Sequence, residues 1–168
     1  MKPQSTLRKP LFTQKDFPLQ DITKQIISCA IEVHSVLGPG LLESVYKEAL
    51  AHEFRLRKLR YERQKEISLS YKGKDIGNHR IDYLTEDEVI VELKAVETMH
   101  RIYEAQVLTY LRALGKRVGL LINFNVVFLK DGIKRLILQR TQRANTINPR
   151  KLKTKYFSAI SVVIFQRT

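Results

Sequence analysis

The apolar pattern of the chain predicts an α/β fold, one central sheet with helices packed against it, and three observations carry that prediction. Apolar residues recur at helical spacing in three stretches, 21–37, 42–59 and 98–114. Around them lie five short runs rich in β-branched and aromatic residues, the usual composition of strands. Of 168 residues, 43% are hydrophobic and 28% charged, an ordinary globular balance with enough chain for one domain and a substantial core. The resulting order is α-α-β-β-β-α-β-β, with no internal repeat.

Residues 1–20 hold Pro3, Pro10 and Pro18, with Lys2, Arg8, Lys9 and Lys15 against Asp16 alone. That composition predicts a flexible basic arm ahead of a folded domain over 21–139. Asp21 is placed to cap a helix running to about Leu37, with Ile22, Ile26, Ala30, Val33 and Leu37 on one face. Cys29 falls on that face and reads as a buried core thiol, since one cysteine cannot form an internal disulfide. Gly38-Pro39-Gly40 stops the helix. A second helix follows over 42–59, its apolar side made by Leu42, Val45, Tyr46, Ala49, Leu50 and Phe54. Residues 66–71 read as a strand and Lys72-Gly73-Lys74 as a turn, after which the chain enters a central hairpin near Ile76. The helical period returns over 98–114 through Ile102, Ala105, Leu108, Leu111 and Leu114, with Gly115 as the stop. Residues 118–124 are apolar except for Asn123, as a central buried strand would be. Asp131-Gly132 signals a turn before a last strand over 133–138. An extension over 140–168 carries seven basic residues and no acidic one, closing on an apolar run, 156–165, too short to span a bilayer.

The formal net charge is +13 and the isoelectric point about 10.0. Such an excess favours polyanionic partners, most often nucleic acid, with anionic membrane surfaces the other class. No apolar run is long enough to cross a membrane, and no apolar signal core follows the basic N-terminus, so a cytoplasmic protein is expected. There is no Gly-x-x-x-x-Gly-Lys loop to imply ATP and no Gly-x-Ser-x-Gly turn to imply an α/β-hydrolase. His34, His52, His79 and His100 lack metal-ligand spacing, and His34 reads as a satisfied helix histidine. The oligomeric state stays open, a homodimer included.

Chemistry concentrates in residues 80–96, RIDYLTEDEVIVELKAV, where two apolar-rich runs flank an acidic turn. A hairpin whose turn centres on Asp87 sets Asp82 opposite Glu92, and the period of two puts Glu92 and Lys94 on one face. Charges placed among Val, Ile and Leu are rarely buried unless paired or bound to a metal. A Glu–Lys pair on a solvated strand face is the structural alternative. Arg55, Arg57, Lys58, Arg60, Arg63 and Lys65 add a dense cationic segment, read as the end of the helix that starts near Glu43. It is either a solvated helix end or a track for a phosphate backbone.

An Asp followed ten residues later by Glu-x-Lys, after two strands and before a helix, resembles the core of the PD-(D/E)xK nuclease superfamily. Gly40-Leu-Leu-Glu43-Ser-Val-Tyr46 resembles the signature of the GxxExxY protein family within it, and Gln106-Val-Leu-Thr-Tyr110 the Gln-x-x-x-Tyr motif of its RecB-like and Cas4-like branch. The resemblance covers residues 22–138. It implies a restriction-endonuclease-like core with a mixed sheet, and hydrolysis of nucleic-acid phosphodiesters, DNA before RNA. Asp82 and Glu92 would hold Mg²⁺ or Mn²⁺, a choice that suits oxygen donors better than zinc does. The Leu93 carbonyl would add a ligand, and Glu43 would join directly or through water; Glu43 otherwise merely complements a helix dipole. Lys94 would polarise the attacking water or offset phosphate charge. Gln106 and Tyr110 would support the site or touch the nucleic acid, although Tyr110 also suits an ordinary core. The rival expectation is a binding or regulatory module that keeps the nuclease scaffold without turnover.

Overall fold

The structure is a computed structural model and describes residues 18–138; residues 1–17 of the basic arm and the C-terminal extension lie outside the described residues. The elements are α1 (Gln20–Leu37), α2 (Glu43–Leu56), β1 (Tyr61–Tyr71), β2 (Lys74–Thr85), β3 (Val89–Lys94), α3 (Arg101–Leu114), β4 (Val118–Asn123) and β5 (Ile133–Ile137), in the expected order. A short 3-10 turn, Leu129–Gly132, precedes β5. The strands form one sheet in the order β1-β2-β3-β4-β5. Only β3 and β4 run parallel; every other pair is antiparallel, so the sheet is mixed. The fold is therefore α/β with helices on both faces, consistent with a restriction-endonuclease-like core. No helix among the described residues is long and apolar enough to cross a membrane.

Alternation along the strands divides the core in two. Val89, Val91 and Leu93 of β3 pack with Ile26, Ala30, Tyr46, Leu50 and Phe54 from α1 and α2. Ile90 of β3 and Leu121 of β4 turn the other way and pack with Val107, Leu108 and Leu111 of α3. Strands covered on both faces read as unbroken apolar runs, which is how β4 appears in the sequence. Cys29 lies in the first cluster as a buried free thiol, with burial raising its pKa to about 11.

Several boundaries and faces differ from expectation. Leu19, in the left-handed region, begins α1, and Asp21 sits in the first turn rather than capping it. Its charge there still complements the helix dipole, while Thr23 Oγ1 donates to the carbonyls of Leu19 and Gln20. On α2 the buried side is Tyr46, Leu50, Ala51 and Phe54; Leu42 and Val45 are 75% and 41% exposed. That helix ends at Leu56 because Lys58 takes a φ of 58° and Leu59 folds back into the core. The cationic segment thus leaves the helix: Lys58 and Arg60 lie in the connection, and Arg63 and Lys65 on β1. β1 starts at Tyr61, earlier than the apolar pattern shows, because its first residues are held by pairing with β2. The buried face of α3 is Glu104, Val107, Leu108, Tyr110 and Leu111, with Ile102 68% exposed. Glu104 tolerates burial because Lys134 of β5 bonds its carboxylate. Gly115 ends α3 in the left-handed region, φ 65°.

Candidate active site

The hairpin of β2 and β3 brings the chemistry together, since an antiparallel pair fixes cross-strand neighbours. Glu86 and Asp87 both take positive φ in the turn, and the Glu88 amide donates to the Thr85 carbonyl at 3.0 Å. Bonds from the Arg60 amide and guanidinium to Glu86, and from Lys116 to Asp87, hold those two residues in place. The register Tyr83↔Val91, Leu84↔Ile90, Thr85↔Val89 is the one a turn centred on Asp87 demands. It brings Asp82 to the end of β3, where its Oδ2 accepts the Leu93 amide at 2.9 Å.

Glu92 and Lys94 alternate with Val91 and Leu93 and so lie on the face that carries α3. Lys94 Nζ donates to Glu92 Oε1 and to the Leu93 carbonyl, each at 2.9 Å, and lies 5.4 Å from the centre of the Tyr103 ring. Asp82 and Glu92 are 4% and 5% exposed. Burial pushes the Glu92 carboxyl above its ordinary value, the charge of Asp82 adds to that, and Lys94 opposes it. Glu92 Oε2 is buried with no hydrogen-bond partner among the described residues. An orphaned carboxylate oxygen beside a second buried carboxylate is the arrangement a hard divalent cation relieves. The donors at hand are oxygens, namely Asp82 Oδ1, Glu92 Oε2 and the Leu93 carbonyl, so the residues fit Mg²⁺ or Mn²⁺. The cluster sits at the carboxyl end of a parallel strand, where open α/β sheets commonly place their sites.

The Gly40-x-x-Glu43-x-x-Tyr46 pattern works as a brace. Tyr46 is fully buried and stacked on Phe124 with ring centres 4.5 Å apart. Its hydroxyl donates to the Gly38 carbonyl at 2.7 Å and accepts the Leu41 amide at 3.1 Å. Those bonds fold the 38–41 loop against α2 and make Glu43 its first helical residue. Glu43 is joined to the Asp82–Glu92 pair through Lys47 rather than directly: Lys47 Nζ lies 2.6 Å from Glu43 Oε1 and 2.6 Å from Asp82 Oδ1. Among the described residues no three His, Cys, Asp or Glu side chains close on one metal position. Burial draws the Lys47 pKa down, but its bonds to Asp82 and Glu43 outweigh that and hold it above the usual lysine value. Lys47 was not anticipated from the sequence, although its spacing from Glu43 is that of a helical ion pair. Nor was Gln64, which donates to Asp82 Oδ1 at 3.3 Å.

Gln106 and Tyr110 share a face of α3, and the Gln106 amide donates to the Tyr110 hydroxyl. Tyr110 is buried and its hydroxyl lies 3.4 Å from His79 Nδ1 of β2. Burial raises the Tyr110 pKa, the Gln106 bond opposes it and the charge of Glu92 adds to it. The His34 Nε2 lies 2.8 Å from the Val126 carbonyl. Most of the cationic segment is engaged with carboxylates: Arg57 with Glu53, Arg60 with Glu86, Arg63 with Glu48 and Lys65 with Glu62. Arg55 donates to the Tyr61 hydroxyl at 3.1 Å.

No curated protein and no solved structure matches the chain. The sequence profile of the PD-(D/E)XK nuclease superfamily matches residues 20–136, from the first residue of α1 into β5. That match takes in the whole sheet and the hairpin bearing the carboxylates, and the chain belongs to the PD-(D/E)XK nuclease superfamily.

Proposed function

We propose that this protein is a divalent-metal-dependent nuclease that hydrolyses phosphodiester bonds, with DNA as substrate, and that it is of the GxxExxY type. The observation that carries this reading is the pair of buried carboxylates, Asp82 and Glu92, with an orphaned Glu92 oxygen and a lysine at hydrogen-bond distance. Asp82, Glu92 and the Leu93 carbonyl hold Mg²⁺ or Mn²⁺. Bound there, the ion supplies charge that polarises the scissile phosphate and acidifies water. The other roles belong to the chain. Lys94, held between Glu92, the Leu93 carbonyl and the Tyr103 ring, orients the attacking water and offsets charge developing on the phosphate. Gln106 and Tyr110 wall the site on the α3 side. Leu93, through its amide, fixes the rotamer of Asp82.

The test is cleavage of labelled DNA and RNA, single and double stranded, with Mg²⁺ or Mn²⁺. Lys94→Ala is expected to lose on the order of 10² to 10³ in rate, the usual effect of removing one positioned electrostatic group. Asp82→Asn is expected to lose both cleavage and Mn²⁺ binding measured by calorimetry. Nucleic-acid binding without any cleavage by the wild type would replace this reading with that of a binding module on the nuclease scaffold.

A further inference from the structure

Resting on the metal-site reading above, we infer that Lys47 is a built-in counter-ion that competes with the divalent cation for Asp82 and is displaced when the cation binds. Asp82 has two oxygens, and Oδ2 is committed to the Leu93 amide at 2.9 Å. Oδ1 is the one left to face a cation, and Lys47 Nζ holds it at 2.6 Å. The same ammonium holds Glu43 Oε1 at 2.6 Å, so one positive charge spans two carboxylates from different elements. Gln64 is the only other side chain donating to Oδ1 among the described residues, at 3.3 Å, and as a neutral amide it competes weakly.

Two cations cannot share one oxygen at contact distance without strong mutual repulsion. Glu92 Oε2, the orphan, has no competing donor among the described residues. The Leu93 carbonyl accepts from Lys94 at 2.9 Å, so Lys47 is the competitor at the carboxylates Asp82 and Glu43. Lys47 has somewhere to go. It projects from α2 on a four-carbon stem and is partly exposed, and Glu43 lies one turn back on the same helix. Retaining Glu43 while releasing Asp82 takes only a rotamer change. The ammonium then stands at the rim of the site with its charge directed outward, where a backbone phosphate would meet it.

Mn²⁺ alone is the probe, on the full chain. Lys47→Gln keeps a donor for both carboxylates and removes the charge. It is expected to bind Mn²⁺ more tightly than wild type in calorimetry, by on the order of tenfold, the scale of the one charge-assisted hydrogen bond that the competitor gives up. A second measurement needs no variant: Mn²⁺ is expected to speed acylation of Lys47 in the wild type, read by mass spectrometry, because release exposes the amine. Unchanged or weaker Mn²⁺ binding in Lys47→Gln, or acylation that Mn²⁺ leaves unaltered, overturns the inference if Asp82→Asn still abolishes Mn²⁺ binding. Absence of Mn²⁺ binding in wild type and Lys47→Gln alike overturns the metal-site reading itself.

Discussion

Glu92 is buried with one carboxylate oxygen left without a partner among the described residues. Its carboxyl is pushed above the ordinary value of 4.5, first by burial and then by Asp82. An acid raised in this way binds its proton more tightly in the folded state than in the unfolded one. Stability therefore falls as pH climbs from the ordinary glutamate value to the raised one, and stays lower above it. Glu92→Gln, which keeps the acceptor for Lys94, is expected to raise stability at neutral pH without divalent ions by roughly 1 to 3 kcal/mol, the range for relieving one unsatisfied buried group. The gain should fade on acidification below the ordinary glutamate range. Thermal melts at both pH values check this, and a variant less stable at neutral pH would show that Glu92 is already balanced. At this scale the sequence was legible where a periodic rule applied. The turn position gave the register of β2 against β3 over Tyr83–Thr85 and Val89–Val91, and with it the approach of Asp82 to the end of β3. Lys47 and Gln64 were not legible, because they reach Asp82 from α2 and β1, and no local pattern reports which elements meet.

At the scale of elements, α3 packs tightly on the sheet at Gly119 of β4. A Cβ there would stand 2.6 Å from Val107 Cγ1 and 3.5 Å from Leu111 Cδ1. Gly119→Ala is accordingly expected to destabilise by about 1 to 3 kcal/mol, the usual effect of overpacking. Adding Val107→Ala should return part of that loss in denaturant melts; additive effects would mean that the contact is not the cause. Asn123, at the end of the same strand, fastens the loop after Lys94. Its Oδ1 accepts the Val96 and Asn125 amides at 3.0 and 3.2 Å, and its Nδ2 donates to the Val96 carbonyl at 2.8 Å. Asn123→Leu leaves those loop groups without partners and is expected to lower cleavage through Lys94 misplacement more than it lowers metal affinity. A kinetic and calorimetric comparison separates the two. Element order was readable because helical and strand periods differ so clearly. Helix faces were read less well, since Glu104 is buried only by virtue of Lys134, a partner thirty residues away. The start of β1 was hidden for a similar reason: Glu62, Arg63 and Lys65 are strand residues through pairing, not through composition.

On the scale of the whole molecule, positive charge is unevenly distributed along the chain. Residues 18–138 hold 19 Lys and Arg against 16 Asp and Glu, a net +3, while residues 1–17 and 139–168 hold 11 against Asp16 alone, the remaining +10 of the +13. Since most of the cationic segment after α2 is already engaged with carboxylates, the positive charge left for a polyanion belongs chiefly to residues 1–17 and 139–168 of the sequence. Replacing Arg140, Arg143, Arg150, Lys151, Lys153 and Lys155 with Gln is expected to flatten the salt dependence of any nucleic-acid binding by roughly one unit for each phosphate no longer neutralised. Arg55→Gln with Lys58→Gln should change it much less, and the opposite ranking would return the phosphate track to the α2–β1 connection. The strand order has its own consequence. Because position in the sheet repeats position in the chain, each strand pairs with its neighbour in sequence, and only the β3–β4 step must wait for a helix to cross. Hairpins close in microseconds, whereas a parallel pair needs a crossover connection to form first. Ile67→Ala in the β1–β2 ribbon should thus slow refolding, while Leu121→Ala in β4 should mainly hasten unfolding, a contrast that chevron plots read directly. The end of β3 that bears Glu92 and Lys94 is then among the last parts of the molecule to become rigid.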